Sequence, residues 1–218
     1  MNSVAAILLA AGRSERMGAF KPLLPFGNKT VIETCIVHLR KGGVETIVVV
    51  VGHQANLIRA HLQDLNLSFA FNPDPESEMS ASIACGAKQL PREAGAVLIA
   101  LTDHPAVSPE VIITIINCWK KAGAKLVIPE YDARGGHPVL VDLGFRDQLL
   151  QLDPERGLGS LFDAHRAQVQ RIPVGSPFIA RDMDTWDDYR VLHEDVFGMP
   201  PPPDAASRLH PSNNATKH

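Results

Sequence analysis

The sequence predicts a three-layer α/β/α domain, in which helices cover both faces of a mostly parallel sheet of about seven strands. Short runs of β-branched and other apolar residues alternate along the chain with longer segments of helical periodicity. The first run, residues 4–9, is apolar without interruption, as expected for a strand that is buried on both faces. Repeated strand–helix–strand units of this length imply right-handed crossovers and therefore parallel strands.

Individual strands and helices can be assigned from periodicity and from stop signals. The strands are expected at residues 4–9, 46–51, 68–71, 96–101, 125–128, 138–141 and 169–173. The helices are expected at residues 30–41, 55–65, 80–90, 108–122 and 185–196. Gly42 and Gly43 end the first helix. Ser108 followed by Pro109 indicates the start of the fourth, with serine as N-cap and proline in the first helical position.

Composition and charge exclude several classes of protein. Of the 218 residues, 45% are hydrophobic and 21% are charged, which is typical of a globular protein. The longest apolar runs fall well short of the ~20 residues that a membrane helix needs, so we expect no membrane association. Lys and Arg number 21 against 24 Asp and Glu, and no basic block is present, so nucleic-acid binding is not expected.

The cysteines and the C-terminal composition bear on compartment and domain organisation. Cys35, Cys85 and Cys118 are an odd number without close spacing, which argues against a disulfide framework or a zinc site. They indicate a reducing compartment, and we expect a cytoplasmic location. Near residue 198 the core pattern gives way to proline and small polar residues, so we predict one domain over residues 1–197 and a disordered tail over 198–218.

A loop of small residues follows the first strand directly. Ligands in open α/β sheets bind beyond the carboxyl ends of the strands, and backbone N–H groups of such a loop can cradle phosphate oxygens. Basic side chains at Arg13, Arg16 and Lys21 would neutralise a polyphosphate. The residues of this segment that we expect to contact such a phosphorylated ligand are Leu9, Ala10, Ala11, Gly12, Arg13 and Lys21.

The loop lacks two familiar phosphate-binding motifs. A Walker A motif needs glycine five positions after Gly12, where this chain has Met17, and the dinucleotide fingerprint needs glycine two positions after it, where the chain has Ser14. These mismatches argue against an ATPase P-loop and against an NAD-dependent enzyme. An ordinary surface loop with solvated arginines stays open as an alternative.

Two acidic segments lie far apart in the sequence. Asp103 follows the strand predicted at residues 96–101, which places a carboxylate at the ligand edge of the sheet, and aspartate oxygens suit Mg²⁺. Asp184 lies in an Asp-Met-Asp-Thr segment before the last predicted helix. Local structure explains both residues equally well, with Asp103 as a turn residue before Pro105 and Asp184 as a helix cap.

Two further segments place polar groups next to element starts. Ser80 and Ser82 lie at the beginning of a predicted helix, where hydroxyls and free N–H groups suit an anion or the edge of a base. Simple N-capping would explain them as well. Gly136 and His137 precede a predicted strand, and a tight turn with an exposed histidine is the alternative for that pair.

These segments together resemble the MobA-like family of nucleotidyltransferases. The resemblance rests on Leu-Leu-Ala-Ala-Gly-x-Ser-x-Arg-Met-Gly-x-x-Lys-x-Leu-Leu at residues 8–24, Leu-x-Asp-x-Pro at 101–105, Asp-x-Asp-Thr at 182–185 and Gly-His-Pro at 136–138. A segment at residues 72–86 also matches, although Glu78 stands where the family has glycine, which leaves the need for a positive φ there open. The resemblance implies a Rossmann-like fold of the nucleotide-diphospho-sugar transferase type.

The resemblance implies an enzyme that joins a nucleoside monophosphate to a phosphorylated acceptor and releases pyrophosphate. It implies that Lys21, Arg13 and Asp103 are catalytic, and that Asp103 and Asp184 hold Mg²⁺ as the cofactor. Ser80 and Ser82 would join the first loop in binding the nucleotide. The acceptor-binding residues that the resemblance implies are Gly136, His137 and Arg156.

The identity of the substrates is implied by one feature of the first loop. Ala-Ala-Gly at residues 10–12, rather than Ala-Gly-Gly, resembles the cytidylyl members of the family. This favours CTP and a molybdopterin-type acceptor, with a molybdenum enzyme as a further partner. Two alternatives stay open. One is a guanylyl- or other nucleotidyltransferase with a different phosphorylated acceptor, and the other is a non-catalytic nucleotide-binding or delivery module for a molybdenum enzyme.

Overall fold

A computed structural model describes residues 3–12, 17–74, 76–203 and 205 of the chain. Within these ranges the strands are β1 (Ser3–Ala10), β2 (Pro25–Phe26), β3 (Lys29–Thr30), β4 (Thr46–Val51), β5 (Ser68–Phe71), β6 (Ala94–Leu101), β7 (Leu126–Tyr131), β8 (Arg134–Gly135), β9 (Val139–Asp142) and β10 (Val169–Pro173). The helices are α1 (Val31–Lys41), α2 (Ala55–His61), α3 (Met79–Lys88), α4 (Pro109–Ala122), α5 (Arg146–Leu150), α6 (Leu158–Ala164) and α7 (Trp186–Phe197).

The main sheet has the strand order β10-β7-β9-β6-β1-β4-β5, with β8 paired to β7 at the side. The pairs β10–β7, β6–β1, β1–β4 and β4–β5 are parallel. Strand β9 runs antiparallel to both of its neighbours, β6 and β7. The predicted mostly parallel sheet of about seven strands is therefore confirmed, with β9 as an antiparallel insertion near its middle.

Alternating side chains of β1 explain why helices are needed on both faces. Ala6 and Leu8 belong to a core cluster with apolar side chains of α1, α2 and α4. Ala5 and Ile7, which point to the opposite face, belong to a second cluster with side chains of α3, α5 and α6. All four residues are at most 1% exposed. The strand is thus buried on both sides, which produces the predicted three layers.

Helix ends follow several of the predicted signals, but α2 ends at His61 and not at the predicted residue 65. Thr30 caps α1 in a full capping box with Glu33, and Gly123 ends α4 in the left-handed conformation. Ser108 takes the N-cap position of α4, but its side chain makes no capping hydrogen bond. Helices α5 and α6 were not predicted, because segments of five and seven residues are too short for a helical period to stand out. No helix in the described ranges has the length and apolar character needed to cross a membrane.

A third apolar cluster joins the loop after β1 to helix α7. Tyr189, from α7, is fully buried, and its hydroxyl donates a hydrogen bond to the carbonyl oxygen of Pro25. Phe26 and Met17 are buried in the same cluster. Ala205 is 3% exposed and also packs there, within the segment expected to be a tail. The extent of the domain and the disorder of the tail stay predictions, and residues 206–218 lie outside the described residues.

Candidate active site

A cavity of about 350 Å³ opens at the carboxyl ends of β1 and β6. It is lined by residues 9–12, which end β1 and begin the loop that follows it, by residues 101–103 at the end of β6, and by the segment between β5 and α3. Lys21 and Asp184 complete the wall from more distant parts of the chain. The cavity therefore lies where ligands bind in open α/β sheets, beyond the ends of parallel strands.

The loop after β1 is held from one side and open on the other. The backbone N–H and the hydroxyl of Thr102 both donate to the carbonyl oxygen of Leu9, at 3.2 Å and 2.7 Å. Behind the loop, a Cβ atom at Gly52 would lie 3.1 Å from the Cβ atom of Ala11, so the two segments pack closely. A Cβ atom at Gly12 would have no described atom within 4 Å. Among the described residues, none therefore fills the space beside Gly12, which lines the cavity.

Lys21 brings a positive charge into this cavity. It is the first residue of a short 3-10 helix, Lys21–Leu23, whose second residue is Pro22. The Lys21 side chain is only 12% exposed, and its Nζ atom donates to Oδ1 of Asp184 at 2.9 Å. Arg13, the other predicted catalytic cation, lies outside the described residues, and its role stays a prediction.

Asp103 is a half-buried carboxylate at the floor of the cavity. Its Oδ1 atom is buried and accepts no hydrogen bond from any described residue, and Nε2 of His104 is 3.7 Å away. Burial raises the pKa of Asp103, and the neighbouring carboxylates of Asp182 and Asp184 raise it further, whereas His104 and Lys21 oppose the shift. The site thus holds concentrated negative charge that favours a cation.

The two predicted metal-binding carboxylates come from opposite halves of the chain and meet at one cavity. The backbone N–H of Met183 donates to the carbonyl oxygen of Asp103 at 3.1 Å, which ties the segment before α7 to the end of β6. Asp184 does not cap α7. Thr185 takes that position in a capping box with Asp188, so the alternative explanation of Asp184 as a helix cap is wrong. Asp184 lines the cavity, where Nζ of Lys21 contacts its carboxylate.

This donor set fits a hard divalent cation that shares its coordination with phosphate. The buried Oδ1 of Asp103, which accepts no hydrogen bond from the described residues, and the carboxylate of Asp184 supply oxygen donors at one cavity. Among the described residues, no group of three or more His, Cys, Asp or Glu side chains is arranged to hold a metal ion by itself. Mg²⁺ is commonly held by one or two carboxylates plus substrate phosphates and water, and these residues fit that pattern.

Asn72 organises the wall of the cavity between β5 and α3. It is 5% exposed, and its side-chain Nδ2 donates to the hydroxyls of Ser77 and Ser82 at 2.9 Å each. Its Oδ1 accepts from the backbone N–H of Asp74 at 3.2 Å. Ser82 also lines the cavity, and its role in binding a nucleotide stays a prediction. Ser80, although also buried, lines a different cavity, so the structure does not bring it to the same place.

Several cavity residues were not singled out from the sequence. Asn72, Asp74, Ser77 and Met79 line the cavity, and Asn72 was visible only as the first residue of the family-like segment 72–86. Glu78 is the N-cap of α3, with φ −64° and ψ 163°. That is ordinary extended backbone, so the replacement of the family's glycine by Glu78 requires no strained conformation.

The predicted acceptor residues Gly136 and His137 lie beside the cavity without lining it. A Cβ atom at Gly136 would fall 2.2 Å from the carbonyl oxygen of Ile179, so this glycine makes room for the protein's own backbone. The N–H of His137 donates to the same oxygen at 2.8 Å. The His137 ring packs edge-on against His104 with 5.8 Å between centroids, and burial together with His104 lowers the pKa of His137 to about 4.

Arg156, the third predicted acceptor residue, is placed away from the cavity. It is exposed and forms an ion pair with Asp163, which is also paired with Arg166. None of the three predicted acceptor residues, Gly136, His137 and Arg156, lines the cavity. The structure therefore brings together the loop at 9–12, Lys21, Ser82, Asp103 and Asp184, and leaves Ser80 and the three acceptor residues outside. The assignment of all these residues to roles stays a prediction.

A mostly parallel sheet covered on both faces, with a small-residue loop, a lysine and two carboxylates at one strand-end cavity, is an arrangement that suits the binding of a polyphosphate. A family model described as the MobA-like NTP transferase domain matches residues 6–169. The chain belongs to this family. Nucleotidyltransferases of this family depend on a divalent metal, which agrees with the donor set.

Curated relatives carry several different names. Bifunctional protein GlmU from Geobacter sulfurreducens is 31% identical over 59% of this chain, but the chain spans only about a quarter of that relative, 27%. Nicotine blue oxidoreductase from Paenarthrobacter nicotinovorans is 30% identical over 66% of this chain and 72% of its own length. Molybdenum cofactor cytidylyltransferase from Escherichia coli K12 is 24% identical over 89% of this chain and 97% of its own.

Solved structures agree on the fold. Rv0371c from Mycobacterium tuberculosis H37Rv superposes with a TM-score of 0.79 at 28% identity, covering 88% of this chain and 99% of that one. A manganese complex of Rv0371c superposes with a TM-score of 0.74 at 25% identity, covering 88% and 98%. That protein has thus been observed with a divalent ion of the kind that the carboxylates in this chain suit.

Proposed function

We propose that this protein transfers the nucleotidyl group of CTP to the phosphate of a molybdopterin-type acceptor and releases pyrophosphate. The observation that carries the proposal is the single cavity at which the loop at residues 9–12, Lys21, Asp103 and Asp184 meet. The choice of substrates is supported by the molybdenum cofactor cytidylyltransferase, which aligns with 89% of this chain and 97% of its own length. A molybdenum enzyme that receives the product is the expected partner.

The proposed chemistry joins two anions, so it depends on charge neutralisation and positioning. An oxygen of the acceptor phosphate attacks the α-phosphorus, and the bond to the departing pyrophosphate breaks. The open backbone at Gly12 and the ammonium of Lys21 would hold the triphosphate, with Arg13 as a further cation. Asp103 and Asp184 would hold Mg²⁺, which when bound supplies electrostatic stabilisation of phosphate oxygens. No covalent protein nucleophile is required.

The base would lie between the first loop and the start of α3. Ser82 accepts a hydrogen bond from Asn72, so its own hydroxyl hydrogen is left to donate toward an acceptor atom of the base. Ala11 lines the same cavity, and the Ala-Ala-Gly sequence to which it belongs resembles that of the cytidylyl members. The roles of Ser80, Gly136, His137 and Arg156 in this scheme, and a cytoplasmic location, stay predictions.

The proposal is tested by measuring pyrophosphate release. The full chain is incubated with Mg²⁺ and CTP, GTP, ATP or UTP, with and without molybdopterin, and the Asp103→Asn variant serves as the control. We expect release that requires molybdopterin, is fastest with CTP and is lost in the variant. Release with GTP instead would indicate a guanylyltransferase. Binding of CTP without any release would indicate a non-catalytic delivery module.

An oxidoreductase is the second candidate, because one relative, 30% identical over 66% of this chain, is named nicotine blue oxidoreductase. The first loop argues against a nicotinamide cofactor, since Ser14 replaces the second glycine of the dinucleotide fingerprint. A parallel assay follows the absorbance of NADH and NADPH with dye acceptors. Turnover of either cofactor without pyrophosphate release would favour this candidate.

A further inference from the structure

The ion pair between Lys21 and Asp184 occupies a carboxylate that the proposed metal site needs. Nζ of Lys21 lies 2.9 Å from Oδ1 of Asp184. The lysine side chain is 12% exposed and the aspartate side chain 35% exposed, so the pair is partly shielded from water. Asp103 lies in the same cavity, with a buried Oδ1 that no described residue contacts by a hydrogen bond. The two carboxylates therefore differ in their partners.

We propose that Lys21 acts as an internal cation that keeps a divalent metal off Asp184 until a nucleoside triphosphate arrives. The triphosphate draws the Lys21 ammonium onto its own oxygens and so releases Asp184 to bind the metal. This inference rests on the proposed function, because it assumes that the cavity takes a triphosphate. The Lys21–Asp184 contact thereby makes metal binding depend on nucleotide.

Electrostatic interactions explain both why Lys21 keeps a metal ion off Asp184 and why a triphosphate draws Lys21 away. A divalent cation that enters beside Lys21 meets a like charge and must break a charge-assisted hydrogen bond to reach Asp184. Without Asp184 it has Asp103 as its carboxylate ligand, which is a weak site for an ion that prefers several oxygens. A triphosphate carries more negative charge than one carboxylate, so it competes well for the ammonium and adds its own oxygens to the metal's coordination.

The experiment measures Mn²⁺ binding without nucleotide, from the electron paramagnetic resonance signal of the free ion. Wild type is compared with Lys21→Met, and Lys120→Met, an exposed lysine outside the cavity, controls for the change in net charge. We expect Lys21→Met to bind Mn²⁺ about tenfold more tightly than wild type, and Lys120→Met to match wild type. Adding Asp184→Asn to Lys21→Met should abolish the gain.

Circular dichroism confirms that each variant is folded, and Lys21→Gln provides a second neutral substitution. Equal Mn²⁺ affinity in the Lys21 variants and Lys120→Met would overturn the inference, and so would weaker binding in the Lys21 variants.

A second titration adds a non-hydrolysable CTP analogue. It should tighten Mn²⁺ binding more in wild type than in Lys21→Met. If Lys21→Met gains affinity but the analogue changes nothing in either protein, the proposed function fails whereas the block by Lys21 stands.

Discussion

Replacing Asn72 by alanine should loosen the wall of the cavity without touching the carboxylates. The side chain makes three hydrogen bonds, to the hydroxyls of Ser77 and Ser82 and to the backbone N–H of Asp74. Each such bond contributes about 1 kcal/mol net, so the substitution should lower the free energy of unfolding by about 3 kcal/mol. With an m-value of about 3 kcal/mol per M, this corresponds to a shift of about 1 M in the urea midpoint.

The assay combines urea unfolding with stabilisation by CTP and Mg²⁺. Because Asn72 orients Ser82, the thermal stabilisation that CTP gives should also shrink in Asn72→Ala. Asn66→Ala is the matched control, since Asn66 is exposed and outside the cavity, and it should behave like wild type. An unchanged urea midpoint in Asn72→Ala would refute the reasoning about stability. If Asn72→Ala has a lower urea midpoint but is stabilised by CTP as much as wild type is, the inferred contact between Ser82 and the base is refuted.

Three further predictions concern catalysis, pH and packing. Asp103→Asn should reduce pyrophosphate release at least about 100-fold while circular dichroism stays unchanged, and retained activity would reject Asp103 as a metal ligand. Burial alone would raise the pKa of Asp142, but hydrogen bonds from an indole, an ammonium and a backbone N–H lower it below 3.8. The ionised Asp142 therefore stabilises the folded protein above pH ~4, and this stabilisation is lost as the pH falls through the lowered pKa of the folded state. The difference in the free energy of unfolding between wild type and Asp142→Asn should consequently shrink from about pH 5 to about pH 3. A Cβ atom at Gly86 would lie 2.8 Å from Cγ2 of Ile7, so Gly86→Ala should lower the free energy of unfolding by about 1–3 kcal/mol in urea unfolding. A Cβ atom at Gly159 would meet no atom of the described residues within 4 Å, so Gly159→Ala should not destabilise the protein.

Local patterns determined most of the strands and the longer helices. Strands β4, β5 and β10 have the predicted bounds, because an apolar or alternating run between turn residues encodes a strand within a few residues of chain. Helices α1 and α4 follow their capping and stop signals. The antiparallel direction of β9 and the short helices α5 and α6 were not predicted, because strand direction and such short helices depend on what packs against them.

Some residues of the candidate site could likewise be predicted from local sequence motifs, whereas others could not. The loop at residues 9–12, Lys21 and Asp103 could be named from the sequence, because each belongs to a short motif at a predicted strand end or beside it. Asn72 was not singled out as a site residue, since its importance lies in three hydrogen bonds that no local pattern records. Arg156 was predicted from the family resemblance, yet it does not line the cavity and forms an ion pair with Asp163.

The sequence by itself determined the α/β class, the position of the small-residue loop at the end of the first strand and the family resemblance, because these reside in contiguous residues. Only the tertiary structure decided that Lys21 contacts Asp184, 163 positions away in the chain, and that Asp184 shares a cavity with Asp103. The physical reason is that helix α7 packs through Tyr189 onto the segment after the first loop. Burial of that apolar cluster brings the two halves of the chain together, and no short stretch of sequence specifies such a contact.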